Sequence, residues 1–136
     1  MTYFARQFHD SASDLRKVRR VDARELFRVE FKKGKIFPRR GRGDGWDLSV
    51  QGIRFATAQS LQKGDRLRLT VFFSPDFPGE SKIEAEAWVV YVKRLGRRGP
   101  CEVGCQLFYE EGAIEETLPQ FLYWIELRPE AVPAQT

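Results

Sequence analysis

The sequence predicts a mostly β fold, in which a small antiparallel barrel is followed by one C-terminal helix. Apolar residues alternate with polar ones in several short segments, which is the period of half-buried strands. Turn-forming residues separate these segments, and a helical apolar spacing occurs only near the C-terminus. With 136 residues, 42% hydrophobic and 31% charged, the chain fits a single folded domain with a modest core.

The first strand pattern begins at Phe27 and alternates through residue 31. Residues 33–45 contain one proline and several glycines, and they are predicted to form a loop. Alternation resumes at residues 46–50 and continues beyond Gly52 in the opposite phase. That change of phase predicts a turn or bulge between two strand pieces.

Three further strand patterns cover residues 66–73, 82–91 and 102–108. Turns rich in Gly, Pro, Ser and Asp separate them, one at residues 74–81 and one at residues 96–100. Strands of this length, joined by turns along the whole chain, are typical of a small antiparallel barrel.

The helix is predicted over residues 117–127, where apolar side chains are spaced three and four apart. Pro119 has no N–H to donate, so we place it in the first turn with Thr117 as the cap. The domain is therefore expected over residues 21–128, between a basic N-terminal arm at 1–20 and a tail at 129–136.

The cysteine and histidine content argues against a disulfide framework or a metal site. Cys101 and Cys105 fall on the same side of a predicted strand, roughly 13 Å apart, which is too far to bridge. We interpret both as small hydrophobic residues of the core. His9, the one histidine, lies in a polar stretch without partners for a triad or a metal.

Several function classes are disfavoured by what the sequence lacks. It contains no evident nucleophile–base pair or metal cluster, so we expect neither an enzyme nor a cofactor. No apolar run approaches the length of a membrane span, and the N-terminus lacks the apolar core of a signal peptide. We therefore expect a cytoplasmic protein without a membrane span.

Charge points to an anionic ligand. The net charge is only +4, but arginines and lysines are concentrated in three clusters, at residues 16–28, 39–42 and 93–98. Each cluster alone is compatible with an ordinary solvated surface. Converging guanidinium groups, however, match the oxygens of phosphate in a bidentate manner.

Two short motifs give this charge a more specific meaning. Arg24 and Arg28 are four residues apart, and Asp47, Ser49 and Gly52 form an Asp-x-Ser-x-x-Gly sequence that occurs once. The arginine spacing by itself is uninformative, because it recurs at Arg16/Arg20, Arg20/Arg24 and Arg94/Arg98. The order and separation of the two motifs together are informative.

These motifs resemble the paired signature of PilZ domains, RxxxR followed by (D/N)xSxxG. The resemblance extends from about Arg24 to Ile125 and includes the segment Cys101–Phe108, which is similar to a strand of that family. It implies a six-stranded antiparallel β-barrel with a C-terminal helix, and it implies a receptor for cyclic di-GMP. Many members carry one more arginine where this chain has Ala23, and Arg19 and Arg20 are the candidates to replace it.

The resemblance and the chemistry of the ligand assign a role to each residue. Arg20, Arg24 and Arg28 are expected to bind phosphate and to stack on or hydrogen-bond guanine. Asp47 is expected to accept hydrogen bonds from guanine N1–H and its amine, which would disfavour adenine. The remaining expected contacts are Ser49, the close approach of backbone at Gly52, and Arg54.

Two of these assignments have structural alternatives. Asp47 and Ser49 are residue types that readily hydrogen-bond their own backbone in turns. Trp88, in phase with the polar side of its strand, is either a stacking platform for guanine or a residue packed beneath the C-terminal helix.

As a mechanism, we hypothesise that the arm is mobile through Arg28 without ligand and becomes ordered against the barrel when ligand binds. A downstream protein partner would then recognise the changed surface, in the control of motility or biofilm formation. Two rivals remain, a basic barrel that binds single-stranded nucleic acid and a PilZ-like adaptor that binds no nucleotide. The intact motifs argue against the adaptor, and nucleic acid is not the expected partner.

Overall fold

The computed structural model describes residues 21–109 and 117–128, so the predicted arm and tail lie outside the described residues. The described part contains seven strands and one helix. These are β1 (Val21–Asp22), β2 (Phe27–Lys33), β3 (Arg39–Leu48), β4 (Gly52–Thr57), β5 (Arg66–Phe73), β6 (Lys82–Arg94), β7 (Cys101–Phe108) and α1 (Thr117–Glu126).

The strands form one antiparallel sheet that closes on itself. The order is β1-β3-β2-β5-β6-β7-β4. An additional pairing between β3 and β4 closes the six strands from β2 through β7 into a barrel. The two-residue β1 lies beside the C-terminal part of β3. Alternate residues of each long strand point into the barrel and are buried, as the alternation in the sequence predicted. The predicted barrel with a C-terminal helix is confirmed.

The prediction of a loop over residues 33–45 is wrong for its second half, where β3 begins at Arg39. Only Gly34–Pro38 is the loop of the β2–β3 hairpin. Three glycines of β3 face inward, and large rings occupy the space that side chains would take. An added Cβ would lie 2.3 Å from the Phe31 ring at Gly41, 2.4 Å from the Phe55 ring at Gly43 and 2.4 Å from the Phe27 ring at Gly45. These glycines thus serve packing rather than a turn.

The hypothesis that the arm is mobile through Arg28 is also wrong at its C-terminal end. Arg28 belongs to β2, where it is paired with Asp44 of β3 on one side and with Phe72 of β5 on the other. Backbone held in a sheet on both sides opens only when that part of the sheet opens. Any reorganisation of the arm must therefore take place upstream of β2.

The helix packs its apolar side on aromatic rings at the end of β5 and just beyond it. Leu118, Phe121 and Ile125 are fully buried, and the Phe121 ring centroid lies 4.1 Å from Phe73 and 5.2 Å from Phe77. Pro119 lies in the first turn, as predicted, where a missing N–H breaks no intrahelical bond. Thr117, the predicted cap, is instead the first residue of the helix.

The two cysteines are free, and they differ in burial. Cys105 is buried in the core, whereas Cys101 is half-buried and packs against the core from its edge. Burial raises the pKa of the Cys105 thiol to about 12. No helix among the described residues is long and apolar enough to cross a membrane.

Candidate functional site

The first motif arginine lies on a bulge between β1 and β2. Both strands pair with β3, but five residues lie between Asp22 and Arg28, whereas two lie between their partners Asp44 and Asp47. The chain between β1 and β2 is thus three residues longer than the β3 segment beside it and bulges outward; we call residues 23–26 the 23–26 bulge. A hydrogen bond from Ala23 N–H to the Trp46 carbonyl (2.9 Å) fixes its start.

The end of the bulge is fixed in the same way. The Leu26 carbonyl accepts a hydrogen bond of 2.8 Å from the Ser74 N–H, just beyond β5. Within the bulge, Glu25 adopts a positive φ of 68°, a conformation that non-glycine residues seldom adopt. The bulge thus has a defined shape, and Arg24 lies on its exposed side.

Arg24 and Arg28 line the same open cleft, which has a volume of about 590 Å³ and lies between the bulge, β3 and the end of β5. Both guanidinium groups lie over aromatic rings. The Arg24 carbon is 5.0 Å from the centroid of Trp46, and the Arg28 carbon is 4.1 Å from the centroid of Phe72. Such contacts orient the planar groups. Arg28 also donates a hydrogen bond of 2.9 Å from Nη1 to the Glu30 carboxylate, in an exposed ion pair.

Asp47, the residue after Trp46, does not line this cleft and is only 3% exposed. Its carboxylate forms an ion pair with Arg54, which is its cross-strand neighbour on β4. Burial lowers the pKa of Arg54, but the Asp47 carboxylate and, to a smaller extent, the Tyr91 hydroxyl together outweigh this, so the pKa is raised overall. In this structure, therefore, Arg54 occupies the acceptor that the sequence assigned to guanine.

Two residues that the sequence analysis did not assign extend this ion pair. Arg54 also donates to Glu102 (3.4 Å), and the Tyr91 hydroxyl donates to the same Glu102 oxygen (2.5 Å). Tyr91 reaches it because its ring lies across Gly104, where an added Cβ would be 2.1 Å from the ring. The space beside Asp47, Arg54 and Tyr91 is about 40 Å³, much smaller than the cleft at Arg24.

Trp46 connects the two parts of the site. Its ring centroid lies 5.0 Å from the Arg24 guanidinium and 5.7 Å from that of Arg54. A bulge in β3 between Gly45 and Asp47 leaves Trp46 without a partner on β4 and sets Asp47 opposite Arg54. The sequence signal was its position directly before the Asp47 motif, in a half-buried strand.

Ser49 and Gly52 form the β3–β4 turn. The Ser49 hydroxyl accepts hydrogen bonds from the N–H groups of Gln51 (3.2 Å) and Gly52 (3.1 Å), and the side chain is buried. A Cβ on Gly52 would lie 2.9 Å from the Cys105 carbonyl of β7. Ser49 therefore hydrogen-bonds the backbone of its own turn, as the structural alternative predicts, whereas Asp47 pairs with Arg54 instead.

Of the two remaining predicted residues, Trp88 lies apart from the cleft. Arg20 lies outside the described residues. Trp88, 39% exposed, contacts Phe108 at a centroid distance of 5.0 Å and lies under the Arg66 guanidinium at 4.5 Å. The buried side of α1, by contrast, packs on Phe73 and Phe77.

The Tyr91–Glu102 contact predicts a pH dependence of stability. Burial, and then the hydrogen bond to Glu102, raise the pKa of Tyr91 from 10.0 to about 12. The folded state thus retains a proton that the unfolded state loses above pH 10, so this stabilisation is complete below pH 10 and disappears towards pH 12. Urea unfolding between neutral pH and pH 11 should show that the free energy of unfolding decreases more steeply for the wild type than for Tyr91→Phe.

Tyr123→Phe, which removes a hydroxyl from an exposed position of α1, is the matched control for that series. It should follow the wild type across the alkaline range. Parallel curves for the wild type and Tyr91→Phe would show that the Tyr91–Glu102 contact does not persist in solution.

Both the sequence and the fold of this chain are similar to those of known proteins. Residues 14–124 match the family profile described as PilZ domain. Similar solved structures include the Bacillus subtilis inhibitor of motility MotI/DgrA, with a TM-score of 0.66 at 21% identity over 84% of this chain and 52% of that one. Escherichia coli YcgR in complex with c-di-GMP has a TM-score of 0.61 at 15% identity, covering 81% of this chain and 45% of that one.

The PilZ domain of Escherichia coli YcgR, solved with c-di-GMP, has a TM-score of 0.61 at 15% identity over 81% of this chain and 90% of that domain. The chain thus spans about half the length of MotI and of YcgR, and nearly all of the isolated domain. No curated protein sequence matches the chain.

Proposed function

Because this chain belongs to the PilZ domain family, we propose that it is a non-catalytic receptor for cyclic di-GMP. The observation that carries the proposal is the convergence of the two motif arginines, Arg24 and Arg28, on one open cleft. Two solved structures of similar fold, both of YcgR, contain this ligand.

The cleft suits a cyclic dinucleotide in size and in chemistry. Its volume of about 590 Å³ lies within the usual range for ligand sites. Arg24 and Arg28 are exposed and already oriented by Trp46 and Phe72, so little rotational freedom would be lost on binding phosphate. Arg28 would share or exchange its exposed ion pair with Glu30, and exposed pairs of this kind contribute little to stability. A guanine base can extend either arginine–aromatic stack.

Guanine selectivity in this proposal depends on an exchange of partners at Asp47. Arg54 is paired with this carboxylate. It must move away, or share the carboxylate with the ligand, before Asp47 can accept hydrogen bonds from the guanine N1–H and amine. Arg54 is 27% exposed, so it has room to move towards solvent and onto the ligand. Adenine offers no comparable donor pair and could not replace the ion pair.

The other predicted residues contribute in different ways. Ser49 and Gly52 fix the turn that places Asp47 opposite Arg54, so they support the site without contacting the ligand. Trp88 on β6 lies opposite Gln106 on β7, and Gln106 lies opposite Gly52 on β4. Trp88 is therefore two strands away from Gly52, roughly 10 Å, on the same outer face of the barrel. It stays a second stacking candidate at the edge of the site.

We place the receptor in the cytoplasm, with an arm at residues 1–20 that rearranges on binding and carries Arg20 to the ligand. Since β2 is held on both sides, the 23–26 bulge is the point from which such a movement would start. A downstream protein would recognise the altered surface. The similarity to an inhibitor of motility favours motility as the process.

Calorimetric titration with cyclic di-GMP, cyclic di-AMP and a short single-stranded RNA tests the proposal. We expect saturable binding of the guanine ligand and much weaker binding of cyclic di-AMP. Absence of heat with both cyclic dinucleotides would leave a ligand-independent adaptor. Binding of RNA that weakens steeply with salt would favour the nucleic-acid alternative.

A further inference from the structure

The loop of the β2–β3 hairpin presents two adjacent apolar side chains to solvent. Ile36 is 83% exposed and Phe37 is 88% exposed, the highest values among the exposed large hydrophobic residues of the described chain. Single exposed apolar residues are ordinary on protein surfaces. Two neighbours at the tip of a hairpin instead form a small apolar protrusion.

The protrusion is surrounded by positive charge. Residues 32–40 contain five lysines and arginines and no carboxylate. Lys33 pairs with Asp65 at 2.9 Å. For Lys32, Lys35, Arg39 and Arg40, no carboxylate of the described residues lies within ion-pair distance. Four cations around Ile36 and Phe37 are thus uncompensated within the described part of the chain.

Strand pairing brings these cations together at a cost in stability. Lys32 lies directly opposite Arg40 on one side and opposite Arg68 on the other, and Lys33 lies opposite Arg39. Like charges in directly opposed cross-strand positions are destabilising. An anionic surface would remove this repulsion.

We propose that the β2–β3 hairpin docks the protein on an anionic lipid bilayer, with Ile36 and Phe37 in the headgroup–acyl boundary and the surrounding cations on lipid phosphates. An apolar tip with basic flanks matches both the apolar and the electrostatic contributions to interfacial binding. A convex tip fits a deformable bilayer better than a flat protein surface, and the aliphatic Ile36 cannot stack on a nucleic-acid base.

The docking surface is separate from the ligand cleft, so this inference does not rest on the proposed function. Arg28 and Lys33 lie at opposite ends of β2, five residues or roughly 17 Å apart. A bilayer at the hairpin tip would leave Arg24 and Arg28 accessible from the other end of the barrel.

Co-sedimentation of the full chain with vesicles tests the proposal. We expect binding to phosphatidylcholine vesicles that contain phosphatidylglycerol and little binding to phosphatidylcholine alone. Ile36→Ser/Phe37→Ser should weaken binding at least about tenfold, given the apolar area removed. Arg39→Gln/Arg40→Gln should weaken it about 30-fold, since each basic residue near the surface contributes about 1 kcal/mol.

Two variants at exposed positions away from the hairpin serve as controls. Leu127→Ser removes one exposed apolar side chain just after α1, and Arg97→Gln/Arg98→Gln removes two adjacent arginines from the β6–β7 turn, as many as Arg39→Gln/Arg40→Gln removes from the hairpin. Both should bind vesicles like the wild type. Equal loss with tip and control variants, or unchanged binding by Ile36→Ser/Phe37→Ser, would overturn the proposal. So would tip-dependent binding of RNA or of an acidic protein without binding to anionic vesicles.

Discussion

Replacing Arg24 and Arg28 together with alanine is expected to weaken cyclic di-GMP binding at least about 100-fold, which would abolish the calorimetric signal at ordinary protein concentrations. A hydrogen bond to a charged group contributes about 1.5–3 kcal/mol, and tenfold in affinity corresponds to about 1.4 kcal/mol. Two phosphate-binding arginines therefore account for two orders of magnitude or more. Titration of the variant with cyclic di-GMP measures the loss directly.

The chain offers a control with the same spacing. Arg94 and Arg98 repeat the Arg-x-x-x-Arg pattern, but they lie at the end of β6 and in the following turn, away from the cleft. Arg94→Ala/Arg98→Ala lowers the net charge equally and should retain wild-type affinity. Similar losses in both double variants would mean that binding follows overall charge rather than a site, and would contradict the assignment of Arg24 and Arg28.

The barrel could be predicted from the sequence where side chains carry the signal. In β2, β5 and β6, apolar and polar residues alternate because one side of each strand faces the core and the other faces solvent. In β3 the inward positions are Gly41, Gly43 and Gly45, and glycine has no apolar side chain that would reveal the alternation. The spacing by two residues was present in the sequence, but composition alone suggested a loop.

The site was predictable as a set of residue types and only partly as an arrangement. The motif spacing identified Arg24 and Arg28, but their shared cleft depends on the 23–26 bulge, which arises from an offset between β1 and β2 along β3. The Asp47–Arg54 pair depends on the β3–β4 register, which the Ser49 turn sets. Neither register can be deduced from one strand considered alone.

Gly43→Ala is expected to destabilise the fold by on the order of 3 kcal/mol, the upper end of the usual cost of overpacking a core. In an ordinary strand the same change is favourable, since alanine loses less backbone entropy than glycine. Here an added Cβ would lie 2.4 Å from the fully buried Phe55 ring and 2.9 Å from the Ala56 carbonyl. Urea unfolding should therefore show a marked decrease in midpoint.

A double-mutant cycle separates local overpacking from a general effect on the strand. Phe55→Leu replaces the facing ring with a smaller side chain. The loss in free energy of unfolding caused by Gly43→Ala should therefore fall by roughly 1 kcal/mol or more in that background. Arg42→Ala, on the outer side of β3, should change stability by less than about 0.5 kcal/mol. If Gly43→Ala left the midpoint unchanged or raised it, β3 could not run beside Phe55. The path of β3 that places Trp46 beside Arg24 and Asp47 beside Arg54 would then be wrong as well, because the strand that carries Gly43 also positions the site.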